Sequence, residues 1–205
     1  MRFNFLIRGL IIGVSIAAPV GPIGILCIRR TLTKDHLTGF ISGLGAATAD
    51  AIYGCIAGFG LTLISNALIE HKFWIRLIGG IFLCYLGIRT FFSKTAKDAK
   101  VSDRRSVIGS YASTFFLTLT NPMTIISFTA IFAGLGIGST GGDYISSSFI
   151  VVGVFAGSSL WWLTLSTIVS VFRKDLSEKS LLWINRVAGI IIFGFGIYAL
   201  ISMVR

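Results

Sequence analysis

Charge is scarce in this chain, and acid is scarcer. Of 205 residues, 13% are charged and eight are Asp or Glu. Soluble domains carry about 25% charged residues. The shortfall, beside 54% hydrophobic residues in runs of about 20, excludes an ordinary soluble domain and implies a bilayer. Cysteine is sparse: Cys27, Cys55 and Cys84 lie in different apolar segments with no C-x-x-C. That excludes a disulfide framework and a cysteine metal site. No G-x-x-x-x-G-K-[ST] loop is present and no Ser/His/Asp set suggests hydrolysis, while His36 and His71 fall in loops. The expectation is therefore not an enzyme, with no cofactor and no metal. The net charge of +10 would suggest nucleic acid in a soluble protein. Here the cations cluster in short loops between apolar runs, so they report orientation and no nucleic-acid partner is expected.

Proline is the third scarcity. The chain has three, and each lies inside an apolar stretch: Pro19 and Pro22 in Ser15–Gly24, and Pro122 in Leu117–Met123. A proline in a helix removes one backbone bond and costs about 3 kcal/mol in a water-exposed helix. Three such breaks, with none in a loop, read as interrupted membrane helices around a polar cavity.

What is present is six apolar segments, at 5–28, 39–65, 73–92, 107–133, 145–172 and 182–203. At about 1.5 Å per residue each can span about 30 Å of hydrocarbon. The polar connections are short, so the expectation is one all-α transmembrane domain over 1–205. Arg29, Arg30, Lys34, Lys94, Lys97, Lys100, Arg104, Arg105, Arg173, Lys174 and Lys179 fall on one side. Arg2, Lys72 and Arg205 fall on the other, eleven against three. The positive-inside rule puts the odd loops in the cytoplasm and both termini outside. The start resembles a signal peptide, but Pro19 after Ser15-Ile-Ala-Ala18 disfavours cleavage.

The halves, about 1–95 and 104–205, repeat. A shift of 109 sets Trp74-Ile75 on Trp183-Ile184, Gly80-Ile81 on Gly189-Ile190, Gly87-Ile88 on Gly196-Ile197 and Asp50 on Ser159. A shift of 100 sets Gly9 on Gly109 and Pro22 on Pro122. A repeat of three spans must be inverted, as in secondary transporters with a midplane site between the halves.

In a continuous helix Pro19 frees the carbonyl of Ser15, Pro22 that of Ala18 and Pro122 that of Thr118. Gly21 makes the first break pliable, and Asn121 and Thr118 can cap the second. These carbonyls suit a substrate ammonium, a cation or water; a plain kink is the alternative. Asp50 is the one acid well inside an apolar segment. An acid at that depth costs about 2.5–3.5 kcal/mol on insertion scales, so it faces a cavity or a partner. It reads as a proton or cation site; the alternative is an ion pair with Arg8, Arg76, Arg89 or Arg186. Trp161 and Trp162 lie mid-span, as cavity wall or as packing.

At these residues the chain resembles the LysE/RhtB amino-acid exporter family. The matching positions are Pro19, Gly21 and Pro22, then Gly39, Gly43 and Asp50, then Asn121 and Pro122, in order along nearly the whole length. Two departures are visible: Val20 and Ile23 around the first motif, and Met123 where the family often has lysine. The resemblance implies a bacterial inner-membrane exporter of amino acids or similar small zwitterions, driven by protons. Its partners are then the substrate, protons and lipid, with a homo-oligomer left open. A divalent-cation exporter, which wants several intramembrane carboxylates, and a non-transport assembly subunit are the alternatives.

Overall fold

The structure is a computed structural model that describes residues 2–19, 21–59, 70–93, 104–121, 124, 127–128, 144–173 and 176–202. Among them are seven helices and no strand: α1 (Arg2–Ala17), α2 (Pro22–Thr33), α3 (His36–Gly58), α4 (Lys72–Phe91), α5 (Arg104–Leu119), α6 (Tyr144–Phe172) and α7 (Glu178–Ile201). Four of them, α3, α4, α6 and α7, are long and apolar enough to cross a membrane. The pair α1 and α2 makes a fifth if counted as one span bent by 82°. In the fourth apolar segment the described helix is α5, whose apolar part Val107–Leu119 is short for a span; Pro122, Met123, 125–126 and 129–143 lie outside the described residues.

Local chemistry sets the helix ends. Pro19 has no N–H and disfavours a helical Ala18, so α1 stops at Ala17. Pro22 occupies the first turn of α2, where a missing N–H is harmless. Asp35 caps α3, its side chain accepting from the Thr38 N–H at 2.6 Å. Ser177 does the same for α7, from Ser180 N–H at 3.2 Å.

The interior is more polar than the rim, as expected where lipid is the outer solvent. Thr31, Thr38, Ser42, Thr114, Ser158 and Asn185 are buried. Trp74, Ile78, Ile81, Tyr85 and Ile88 form an exposed apolar stripe on one face of α4.

Small residues fix the packing. Gly9 and Gly13 of α1 face Gly153 and Gly157 of α6, both pairs four apart, and the two helices run parallel. A Cβ on Gly9 would strike the Ile150 carbonyl, and one on Gly157 the Leu10 carbonyl. Side-chain-free contact of this kind lets backbones approach closely enough to associate without a hydrophobic driving force. α5 runs parallel to α3, joined where Thr114 Oγ1 donates to the Ser42 carbonyl at 2.6 Å. α3 and α6 are antiparallel: Ser147 reaches Gly58 at one end, while Gly43 lies under Trp162 toward the other. α4 and α7 are antiparallel too. Gly80 meets Leu200 and Gly87 meets Phe193; conversely Gly196 meets Cys84 and Gly189 meets Phe91.

Candidate functional site

Two polar features lie within this bundle. The first surrounds Asp50. α3 places it about 21 Å along from His36, somewhat beyond the helix centre. It is 3% exposed, between a core cluster holding Ala17, Ile23, Ala46, Ala47 and Trp162 and a second holding Ile12, Tyr53, Phe128, Ile150 and Val154. Ser158 of α6 donates to Asp50 Oδ2 at 2.7 Å, and Trp162 Nε1 donates to Ser158 Oγ at 3.2 Å. Among the described residues Asp50 makes no ion pair, so none of Arg8, Arg76, Arg89 or Arg186 neutralises it. Among the described residues the neighbouring Ser159 hydroxyl is buried without a partner. In an apolar interior such a group costs about 1–3 kcal/mol unless something meets it.

The breaks differ in detail from the sequence expectation. Ser15 is exposed in the last turn of α1, and Ala18 donates its N–H to the Val14 carbonyl at 2.9 Å. Ala18, Pro19 and Gly21 form the connection between two helices, and Pro22 starts the second. The carbonyls there are released because α1 ends, rather than by a proline interrupting a continuous helix. At the other break the Thr118 carbonyl is not left open: Asn121 N–H donates to it at 3.2 Å, and Thr118 Oγ1 bonds back to Thr114 at 2.8 Å. One residue on, Tyr53 Oη donates to the Leu119 carbonyl at 2.5 Å and ties α3 to the end of α5. Removing that hydroxyl with Tyr53→Phe should cost about 1 kcal/mol, because a partly buried carbonyl loses its donor. The check is a lowered melting temperature in detergent; an unchanged one refutes it. Trp162 is buried against Gly43, whereas Trp161 packs partly buried against the same core cluster.

The second feature was not expected as a site. A cavity of 320 Å³ opens between the far end of α2, the end of α4 and the start of α5. Arg29, Arg30, Lys34 and Arg89 line it, with Thr90, Ser93, Ser110 and Ser113, and no acid among the described residues. Arg30 is buried and held rigidly. Its Nη1 donates to Ser42 Oγ at 3.0 Å and the Ser110 carbonyl at 2.8 Å, and its Nη2 to Ser113 Oγ at 2.6 Å. Arg29 Nε donates to Asn185 Oδ1 at 2.6 Å, and Asn185 in turn donates to the Ser93 carbonyl at 3.1 Å. Burial first, then Arg30, Arg29 and Arg89, pulls the Lys34 ammonium below its ordinary range. By sequence Arg29, Arg30 and Lys34 read as loop charges, and Arg89 as a candidate ion-pair partner of Asp50. Only the burial of Arg30 separates a loop arginine from one turned inward. Neither Trp161 nor Trp162 borders this cavity.

Among the described residues no group of three or more His, Cys, Asp or Glu side chains comes together to hold a metal. The arrangement offers instead one buried carboxylate and, toward one end of the bundle, a ring of cations.

Comparison with known proteins matches residues 14–203 to the family described as LysE type translocator. The chain is 29% identical over 199 residues to "Putative amino acid efflux protein YcgF" of Bacillus subtilis, covering 95% of this chain and 94% of that one. It is 26% identical over 218 residues to the threonine efflux protein of Escherichia coli K12, covering 98% and 100%. A membrane protein of B. subtilis, YrhP, is 25% identical over 187 residues, covering 84% and 87%. No solved structure matches the chain.

Proposed function

Because the chain belongs to the LysE type translocator family, a family of multi-pass membrane transporters and not of enzymes, we propose that it exports amino acids or similar small zwitterions from the bacterial cytoplasm. Export is driven by the proton-motive force, in the inner membrane, with both termini outside. Relatives named for amino acid and threonine efflux support the substrate class.

The observation that carries the proposal is Asp50, buried in the bundle with a serine hydroxyl as its partner and no cation among the described residues. A carboxylate so held can take up and release a proton without breaking an ion pair. Ser159, whose hydroxyl is unmet, lies beside Ser158 and supplies a further polar contact for cargo.

Alternating access is the mode that fits, through two inverted three-helix halves. Two features of the packing support it. The α1–α6 contact and the α5–α3 contact are both parallel, as a two-fold in the membrane plane requires. In the α4–α7 seam the register agrees with the sequence repeat. Moving Gly87 and Phe193 by 109 positions in opposite senses gives Gly196 and Cys84, which also touch; Gly80 and Leu200 likewise give Gly189 and Phe91. Inverted halves of this kind rock about a fixed midplane site.

Everted membrane vesicles test this. L-Threonine should accumulate in vesicles carrying the protein and leak out when an uncoupler is added. Accumulation indifferent to the uncoupler would overturn proton coupling. No uptake of any amino acid by vesicles with verified protein would overturn the exporter.

A further inference from the structure

We propose that the arginine-lined cavity between α2, α4 and α5 is a carboxylate-binding vestibule, which receives the cargo's carboxylate on the cytoplasmic side and restricts the cargo to zwitterionic or anionic amino acids. The inference rests on the export function and orientation proposed above, and it deepens them by naming the group recognised.

Size and chemistry agree. At 320 Å³ the cavity lies at the lower end of the roughly 300–1,000 Å³ usual for small-molecule sites. Arg29, Arg30 and Arg89 border it, and among the described residues none of the three is paired with an acid. Cations gathered in a partly buried space repel one another and lose hydration, and an entering oxyanion offsets both costs. The fixed bonds do not exhaust the donors. Arg29 uses Nε on Asn185, so among the described residues its two terminal nitrogens remain for a ligand. Arg30 is braced by three bonds to α3 and α5 that use both Nη1 hydrogens and one of Nη2, so along one edge of an already oriented plane the Nε–H and the second Nη2–H are not taken by them. A fork of that kind meets a carboxylate through two parallel bonds, which is why arginine recognises such groups better than lysine.

The location separates this from ordinary positive-inside charge. Cytoplasmic loop cations normally reach water or lipid phosphates. Arg30 is instead 7% exposed, directed between helices. The same ring repels a second ammonium, so lysine-like cargo is excluded at the vestibule.

The full chain in phosphatidylcholine nanodiscs provides the test, read as melting temperature against added acetate, L-threonine, L-threoninamide and L-lysine at constant ionic strength in chloride. Acetate and threonine should raise it, and threoninamide and lysine should not. Arg89→Gln should raise the half-saturating acetate concentration on the order of tenfold. Arg89 makes no hydrogen bond or ion pair among the described residues, so this variant keeps the fold. Arg29→Gln serves as the second variant. A response equal to that of chloride, an equal response to threonine and threoninamide, or no change in Arg89→Gln overturns the proposal. Stabilisation by phosphatidylglycerol with none by acetate assigns the ring to a lipid headgroup and also overturns it. Threonine transport with unaltered cargo preference in Arg89→Gln overturns the vestibule and leaves the exporter intact. Acetate bound through Arg89 in a protein that transports no amino acid does the reverse.

Discussion

Asp50→Asn abolishes amino-acid export while leaving the protein inserted and folded. Asparagine matches aspartate in shape and keeps an oxygen to accept the Ser158 hydroxyl, now at 2.7 Å from Asp50. What it loses is the ability to carry charge or a proton. Usually the replacement of a buried acid is ambiguous, because an ion-pair partner is left stranded and the fold suffers. Asp50 has no such partner among the described residues, so the substitution removes a costly buried charge and strands nothing. The expected pattern is flux reduced to the background of empty vesicles, with a melting temperature equal to or above that of the parent. Ser158→Ala should have a smaller effect, since the carboxylate remains. Full flux in Asp50→Asn would refute the assignment; loss of flux together with loss of the folded protein would make Asp50 structural.

Gly87→Val and Gly196→Val should each destabilise the bundle strongly and by similar amounts. A Cβ at Gly87 would stand 2.6 Å from Phe193 N and 2.8 Å from its Cα; one at Gly196 would stand 2.6 Å from Cys84 Sγ and 2.8 Å from its N. Backbone atoms sit at both places, so no side-chain rotation relieves the clash. Overpacking costs about 1–3 kcal/mol where a core can adjust, and more where it cannot. The two positions are related by the repeat, so unequal losses of melting temperature would count against an inverted pairing of α4 and α7. Gly194→Ala is the control: nothing lies within 4 Å of its Cβ position, and melting should be unchanged or slightly raised.

The helices were legible in the sequence because lipid demands long apolar runs and the loops are polar. The first break was legible too, since Pro19 cannot continue α1. Its form was less so. One chain of letters cannot distinguish a proline that interrupts a helix from one that begins the next, and Pro22 begins α2. Asp50 stood out by being the lone acid in its segment. Its partner did not, because Ser158 is 108 positions away and a buried serine has the same signature as a packing residue. The glycine seam between α1 and α6 was hidden for a related reason: Gly9 and Gly13 gain meaning only opposite Gly153 and Gly157. Arg29 and Arg30 were read as markers of orientation, and they are also walls of a cavity.

The 82° bend between α1 and α2 has a mechanical side. α1 is clamped backbone to backbone on α6, whereas α2 leaves the bend as a rigid arm of about 18 Å at 1.5 Å per residue. A pivot of about 10° at its base swings the tip through about 3 Å, by the same arithmetic. Arg29 and Arg30 lie seven and eight residues from Pro22, so the same pivot would carry them about 2 Å, which along the bond directions would part Arg29 from Asn185 and Arg30 from Ser113. α2 thus links the two features: the break lies at its start beside Ala17, and the cations lie near its end, so a change of angle at the one would be felt at the other.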